Sequence, residues 1–246
     1  MINLDLSKKM KTQYSLGYPF LHIIIDDFLP EILLDKSFKE LTEFEYFGSD
    51  PNNWEVQVNK FFSPWCDENI QDIDNHAPIT KSILEYLNSK EVLVFLEELT
   101  GIPNLIPDDT LYGGGIHKIN SGGRLSIHSD YNVHPTSGLY RRINLLVYLN
   151  RDWEKSWGGS LQLWEKDMSK CVQDILPTFN RAVIFNTEQD SFHGHPHPLS
   201  TPSDVSRYSF ALYYFTKEKP ETENFVETHH VVWKDLPSDN SDIFKF

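Results

Sequence analysis

From Leu111 to Thr216 the chain repeats one texture: short runs of β-branched and aromatic residues, each closed by a cluster of Gly, Asn, Asp or Pro. Strand candidates fall at Tyr112–Ile119, Arg124–Ser129, Arg141–Leu149, Ser160–Trp164, Ala182–Asn186 and Arg207–Thr216, with no helix-length segment between them. Short strands at this spacing can bury their apolar faces only against another sheet, so this half must close into a sandwich or barrel.

The preceding part supplies helices. Phe20–Asp26 reads as a short strand, after which Pro30 opens a helix with Glu31 in its first turn and Leu34, Phe38 and Leu41 on one face. A second helix is predicted over Pro78–Leu87, with Ile83, Leu84 and Leu87 buried. A third is capped by Ser89, buries Val92, Phe95, Leu96 and Leu99, and stops at Gly101 and Pro103. Ser49 to Asn75 is rich in Asp, Asn and Trp and reads as loop with one or two short strands. The predicted architecture is mainly β with a supporting α layer. It forms one domain over residues 1–216, and a polar C-terminal extension over 217–246 packs on the same domain, where Val231-Val232-Trp233 adds an edge strand.

Composition narrows the function classes. At 246 residues the chain can bury a core without a disulfide or metal staple. Two cysteines, Cys66 and Cys171, exclude a disulfide scaffold and a CxxC zinc ribbon; they read as inert thiols and suit a reducing, cytoplasmic setting. The first residues lack the apolar core of a signal peptide, and no apolar run approaches the ~18 residues of a membrane span. A net charge of −14 argues against non-specific nucleic-acid binding.

Three constellations carry chemistry. His128-Ser129-Asp130 places an imidazole and a carboxylate two residues apart, on one face of a strand. A second histidine must come from elsewhere in the fold, and downstream the Ser191–Pro198 segment offers His193, His195 and His197. Two histidines and a carboxylate on one side of a metal leave three positions open, the facial triad of non-haem Fe(II) oxygenases. Third, Arg207 and Ser209 share a strand face with Ala211 and Tyr213, while Tyr208, Phe210, Leu212 and Tyr214 form the opposite, apolar face. A buried guanidinium needs an anion. Either a structural Arg–Asp pair or a dicarboxylate ligand held bidentately satisfies it.

In order, HxD, His and RxS on a β-run resemble the 2-oxoglutarate- and Fe(II)-dependent dioxygenases, in the prolyl 4-hydroxylase-like branch. The resemblance extends to the Pro19–Leu29 lead-in, to the Tyr140–Trp153 strand with its Tyr-Leu-Asn turn, to Trp157-Gly158-Gly159-Ser160-Leu161, and to Pro177-Thr178-Phe179-Asn180-Arg181. It implies a double-stranded β-helix, or jelly-roll, with the iron at its open mouth. His128, Asp130 and His193 would hold Fe(II) and so be the catalytic centre. Arg207 and Ser209 would hold the distal carboxylate of 2-oxoglutarate with Tyr148, and Asn144 shares the inward face of that strand. O₂ is the other co-substrate, with ascorbate in a supporting role, and the implied reaction couples 2-oxoglutarate decarboxylation to C–H hydroxylation. Halogenating relatives lack the carboxylate, so Asp130 favours hydroxylation. The implied partner is a peptide or protein carrying a prolyl residue, or free proline or another amino acid.

Substrate-facing candidates are Tyr213, His134 on the loop from Tyr131 to Leu139, and one of Arg141 and Arg142. Counting back from Tyr148 favours Arg141, whereas strand parity favours Arg142. Many relatives have a tyrosine about ten residues before the first ligand; here the neighbourhood reads His117-Lys118-Ile119-Asn120. His117, His134, His229 and His230 are expected at the surface or in loops, and Trp153, Trp157 and Trp164 in packing. Pro196, Pro198 and Pro202 make a poor strand, which favours His193 over His195 or His197 as the distal ligand. Two rivals stand beside this reading. One is a cupin-like metal enzyme using the 193–197 histidines without 2-oxoglutarate; the other is an inactive jelly-roll binding module.

Overall fold

The computed structural model describes residues 2, 4–43, 57–58, 77–221 and 228–237. Among them are four α-helices: α1 (Asp5–Ser15), α2 (Glu31–Glu43), α3 (Pro78–Leu87) and α4 (Lys90–Thr100). The strands are β1 (His22–Ile25), β2 (Gln57–Val58), β3 (Ile106–Pro107), β4 (Gly115–Ile119), β5 (Leu125–Ser129), β6 (Tyr140–Tyr148), β7 (Leu161–Trp164), β8 (Cys171–Ile175), β9 (Ala182–Asn186), β10 (His193–His195), β11 (Arg207–Thr216) and β12 (Val232–Trp233). The remainder of the predicted Ser49–Asn75 loop, Cys66 and half of the C-terminal extension, 222–227 and 238–246, lie outside the described residues.

The strands form two antiparallel sheets. The major one runs β1-β9-β6-β11-β4-β2, with β3 also on β11; the minor one runs β12-β5-β10-β7-β8. Chain neighbours such as β5 and β6 lie in different sheets, which is the jelly-roll crossing predicted from the strand spacing. The four helices cover the outer face of the major sheet. There Leu34, Leu84, Phe95 and Leu96 pack against Ile143, Leu145 and Val147 of β6 and Tyr208, Phe210, Leu212 and Tyr214 of β11. The opposite faces of these strands look into the sandwich, where Tyr148, Leu161, Leu163, Val183 and Phe185 form a second core. The alternation along β11 therefore sorts its side chains as the sequence predicts, with Arg207 and Ser209 inside.

Local signals explain most boundaries. Gly101 ends α4 in the left-handed region at φ +76, its N–H bonding the Glu97 carbonyl at 2.8 Å. Ser89 occupies the position before α4, but its side chain caps no backbone group, so packing of Val92, Phe95, Leu96 and Leu99 holds that helix instead. Helix α1 was not legible because its buried side chains are only Ser7 and Tyr14. Docking on α4 and a hydrogen bond from the Tyr14 hydroxyl to Asn186 hold it in place. The motif residues also act as stitches. Asn180, at φ +60, exchanges side-chain hydrogen bonds with both backbone groups of Leu29, and Arg181 grips Asp26 in the lead-in segment. Asn150 ties the Pro177 carbonyl to the Tyr208 N–H, at 2.8 and 2.7 Å. Trp153 and Trp164 are packing residues, as expected.

Candidate active site

The two sheets diverge around a cleft of about 1050 Å³, and the three expected ligands meet inside it. His128 and His193 face each other across the β5–β10 ladder, directly in register. Asp130 follows β5 by one residue. Its carboxylate lies 3.6 Å from Nε2 of His128 and 3.5 Å from Nε2 of His193. Nδ1 of His128 donates to the Ser126 carbonyl at 2.9 Å, and Nδ1 of His193 donates to the Ser191 carbonyl at 2.8 Å. A neutral imidazole that donates through one nitrogen must present a lone pair on the other. Both Nε2 atoms therefore point a free pair at the space beside Asp130. Burial, partly offset by Asp130, pulls the pKa of His193 down to about 4, so it stays neutral and able to ligate.

Asp130 is a buried carboxylate, and burial alone would favour its neutral form. Arg141 at 3.1 Å leads the attractions that outweigh that cost and hold its pKa well below the usual range. Asn144 links the pair: its amide donates to Asp130 at 2.8 Å while its carbonyl accepts from Arg141 at 3.0 and 2.8 Å. Asn144 thus lines the cleft, but its side chain serves Asp130 and Arg141 rather than standing free for a co-substrate.

The choice between the two arginines is settled by a bulge. Tyr214 pairs with Ile143 and Phe215 with Arg141, so Arg142 is the extra residue on β6. A bulge shifts strand parity by one. Arg141 consequently turns inward, clamped between the rings of Tyr213 at 3.5 Å and Tyr131 at 4.6 Å. Arg142 turns away and bonds Thr216, against the expectation from unbroken parity. No residue-type pattern announced this bulge.

Deeper in the cleft, Arg207 is buried, and its Nε donates to the Gly159 carbonyl at 2.8 Å. No carboxylate pairs with it among the described residues, which removes the structural Arg–Asp reading. The Tyr148 ring lies 4.9 Å from the guanidinium carbon, and the hydroxyl is buried without a hydrogen bond of acceptable geometry. Ser209 lines the same space. An uncompensated buried cation, a hydroxyl at its side and a three-donor N,N,O cluster in one cleft fit a carboxylate co-substrate that spans to a divalent iron.

Of the four histidines expected at the surface or in loops, His134, His229 and His230 lie in loops and His117 lies on β4. His117, His134, His229 and His230 all line the cleft. His134 is buried, accepts the Thr136 and Ser137 N–H groups through Nδ1, and turns Nε2 toward Asp108 at 3.6 Å, anchoring the loop that follows Asp130. Long-range pairing brings His229 and His230 in: β12 adds to β5, and the Trp233 ring stacks on His128 at 4.9 Å. His195 also faces the cleft, with both ring nitrogens buried and unpartnered, whereas His197 is exposed. Only His193 of this trio joins His128 and Asp130, which disfavours the cupin-like arrangement. The half-buried Cys171 thiol is pushed up to about 11, chiefly by burial, and is inert as expected.

Comparison with known proteins agrees with this geometry. Residues 114–215 match the family described as the 2OG-Fe(II) oxygenase superfamily. The chain is similar to prolyl 3-hydroxylase OGFOD1 of Mus musculus, 25% identical over 202 residues, which is 80% of this chain and 33% of that protein. It spans about a third of the length of the curated relatives it matches. A prolyl 4-hydroxylase structure from Phytophthora capsici superposes with a TM-score of 0.56 at 18% identity, covering 99% of this chain and 70% of that one. A Trichoplax adhaerens prolyl hydroxylase, solved with a hypoxia inducible factor peptide fragment, gives 0.55 at 18% identity, covering 86% and 90%. The structural likenesses show a shared fold, and the stretch that matches the 2OG-Fe(II) oxygenase superfamily spans His128, Asp130, His193, Arg207 and Ser209.

Proposed function

We propose that this protein hydroxylates a prolyl residue in a peptide or protein, coupled to oxidative decarboxylation of 2-oxoglutarate. The observation that carries the reading is one cleft holding both the His128, Asp130, His193 cluster and a buried Arg207 with no carboxylate partner among the described residues. When bound, Fe(II) with 2-oxoglutarate and O₂ supplies the oxidant that turns C–H into C–OH.

The chain's own residues do the positioning. His128 and His193 present Nε2, fixed by the Ser126 and Ser191 carbonyls. Asp130 stays ionised and adds the negative charge that balances a dication. Arg207, Ser209 and Tyr148 take the distal carboxylate. Arg141 and Tyr213 wall the side that a substrate would approach, and Tyr112, Tyr131 and Trp233 give the mouth aromatic faces suited to an apolar pyrrolidine ring. The names of the relatives support a prolyl substrate, and the peptide bound to the Trichoplax protein supports a peptide over a free amino acid. The reading includes a cytoplasmic setting, which the low cysteine count supports. No helix of the described residues is long and apolar enough to cross a membrane.

The test is incubation with Fe(II), 2-oxoglutarate and a panel of proline-containing peptides, reading succinate and a one-oxygen mass gain together. Peptide-dependent succinate release with a matching mass gain is expected. No succinate above the anaerobic control, with any peptide, would remove the oxygenase reading; succinate with free proline alone would redirect the substrate.

A further inference from the structure

Two imidazoles in the cleft have no assigned task. His195 is 3% exposed, and neither of its ring nitrogens has a partner; His117 bonds the Gly113 backbone, which leaves its buried Nε2 as an unpartnered acceptor. Strand parity puts His195 on the same face of β10 as His193, on the minor-sheet wall. His117 sits on the major-sheet wall, in register with Ser209 and two residues from the Ile119 that pairs with Arg207. His195 also lies close enough to Arg207, His128 and His117 to feel all three electrostatically. The two imidazoles therefore flank the interval between the triad and Arg207 from opposite sheets. A buried ring nitrogen without a partner is costly. An apolar residue would fill either position at less cost unless a ligand completes the hydrogen bond.

We propose that His195 is a co-substrate ligand peculiar to this chain, donating an N–H to 2-oxoglutarate where it crosses from the triad to Arg207. The proposal rests on the 2-oxoglutarate reading above. In this geometry His195 supplies a polar contact from the minor-sheet wall, opposite Arg207 on the major sheet. The co-substrate is then held by hydrogen bonds from both sheets, so its binding also clamps the two sheets at the mouth.

The experiment is calorimetric titration of 2-oxoglutarate into the full chain loaded with Mn(II), which is redox-silent. His195→Leu is expected to weaken 2-oxoglutarate about tenfold, the scale of one hydrogen bond to a charged group, with Mn(II) affinity unchanged. His195→Gln, which keeps a donor, is expected to recover most of that loss. In the ligand-free protein, His195→Leu is expected to melt no lower than the parent, because it removes an unsatisfied polar group. Parental 2-oxoglutarate affinity in His195→Leu overturns the proposal. So does an equal loss of Mn(II) affinity in His195→Leu, which would make His195 a support for His193. Arg207→Ala separates the layers: if it abolishes 2-oxoglutarate binding while His195→Leu binds normally, only this inference fails. If Arg207→Ala also binds normally, the 2-oxoglutarate reading fails with it.

Discussion

Asp130 concentrates the electrostatics of the site at a single residue. It is buried, it faces the imidazoles of His128 and His193, Arg141 forms an ion pair with it, and Asn144 donates a hydrogen bond to it. Removing it strips a ligand and strands the Arg141 guanidinium in a buried site. Asp130→Ala is therefore expected to abolish turnover and also to cost ~3–5 kcal/mol of stability, the usual penalty for breaking one side of a buried ion pair. A chemical-denaturation midpoint equal to the parent's would show that Arg141 finds another anion. Arg207 differs because no carboxylate partners it. Arg207→Ala is expected to leave metal affinity intact while weakening 2-oxoglutarate by ~2–5 kcal/mol, read as a rise in the concentration that saturates succinate release. Saturation at the parental concentration would sink that assignment.

At the scale of elements, the triad depends on how closely β10 lies on β5. A Cβ at Gly194 would stand 2.8 Å from the carbonyl oxygens of both Leu125 and Ser126, which are backbone atoms that cannot swing aside. The two strands carry His193 and His128 in direct register, so pushing them apart separates the ligands. Gly194→Ala is expected to cost ~1–3 kcal/mol as an overpacked contact and to lower Fe(II) affinity, although residue 194 touches no metal. Equilibrium dialysis with Fe(II) under nitrogen checks it, and an unchanged affinity would show that the ladder absorbs the strain. The bulge at Arg142 works in the opposite direction. It spends one ladder position to aim Arg141 at Asp130, and regular pairing would have sent that guanidinium into the helix layer.

For the whole molecule, the cleft makes stability depend on pH and on ligands. His193 and His117 are both held at about 4, mainly by burial, against an ordinary value of 6.5. Between those values the unfolded chain binds protons that the folded chain refuses, so lowering pH favours unfolding. The metal-free protein is expected to keep its full stability above about 6.5 and to lose it steadily as pH falls toward about 4. His117→Leu should flatten part of that slope, and a thermal midpoint independent of pH across the window would contradict the burial of both groups. Mn(II) or 2-oxoglutarate, supplied at about a hundred times its dissociation constant, adds ~2.7 kcal/mol. For a chain of this size that moves the melting midpoint by ~5–10 °C, checked by scanning calorimetry.

The sequence by itself determined the architecture and the chemistry-bearing set. Alternating strands without intervening helices required a sandwich. The alternation along Arg207–Thr216 assigned each side chain to the helix side or the interior, and residue type with order singled out His128, Asp130, His193 and Arg207. These are local properties, written in period and composition. Tertiary structure alone decided what depended on partners far along the chain. Arg141 rather than Arg142 faces the cleft because of a pairing irregularity with Phe215, seventy-four residues away. The three-residue β10 exists only because β5 and β7 flank it, being too short to show a period. His117, His195, His229 and His230 read as polar background until the two sheets, and the β12 strand laid on β5, enclosed them around one cleft. Periodicity reports which face a residue occupies on its own strand. What it then meets is fixed by register and crossover, which no local window contains.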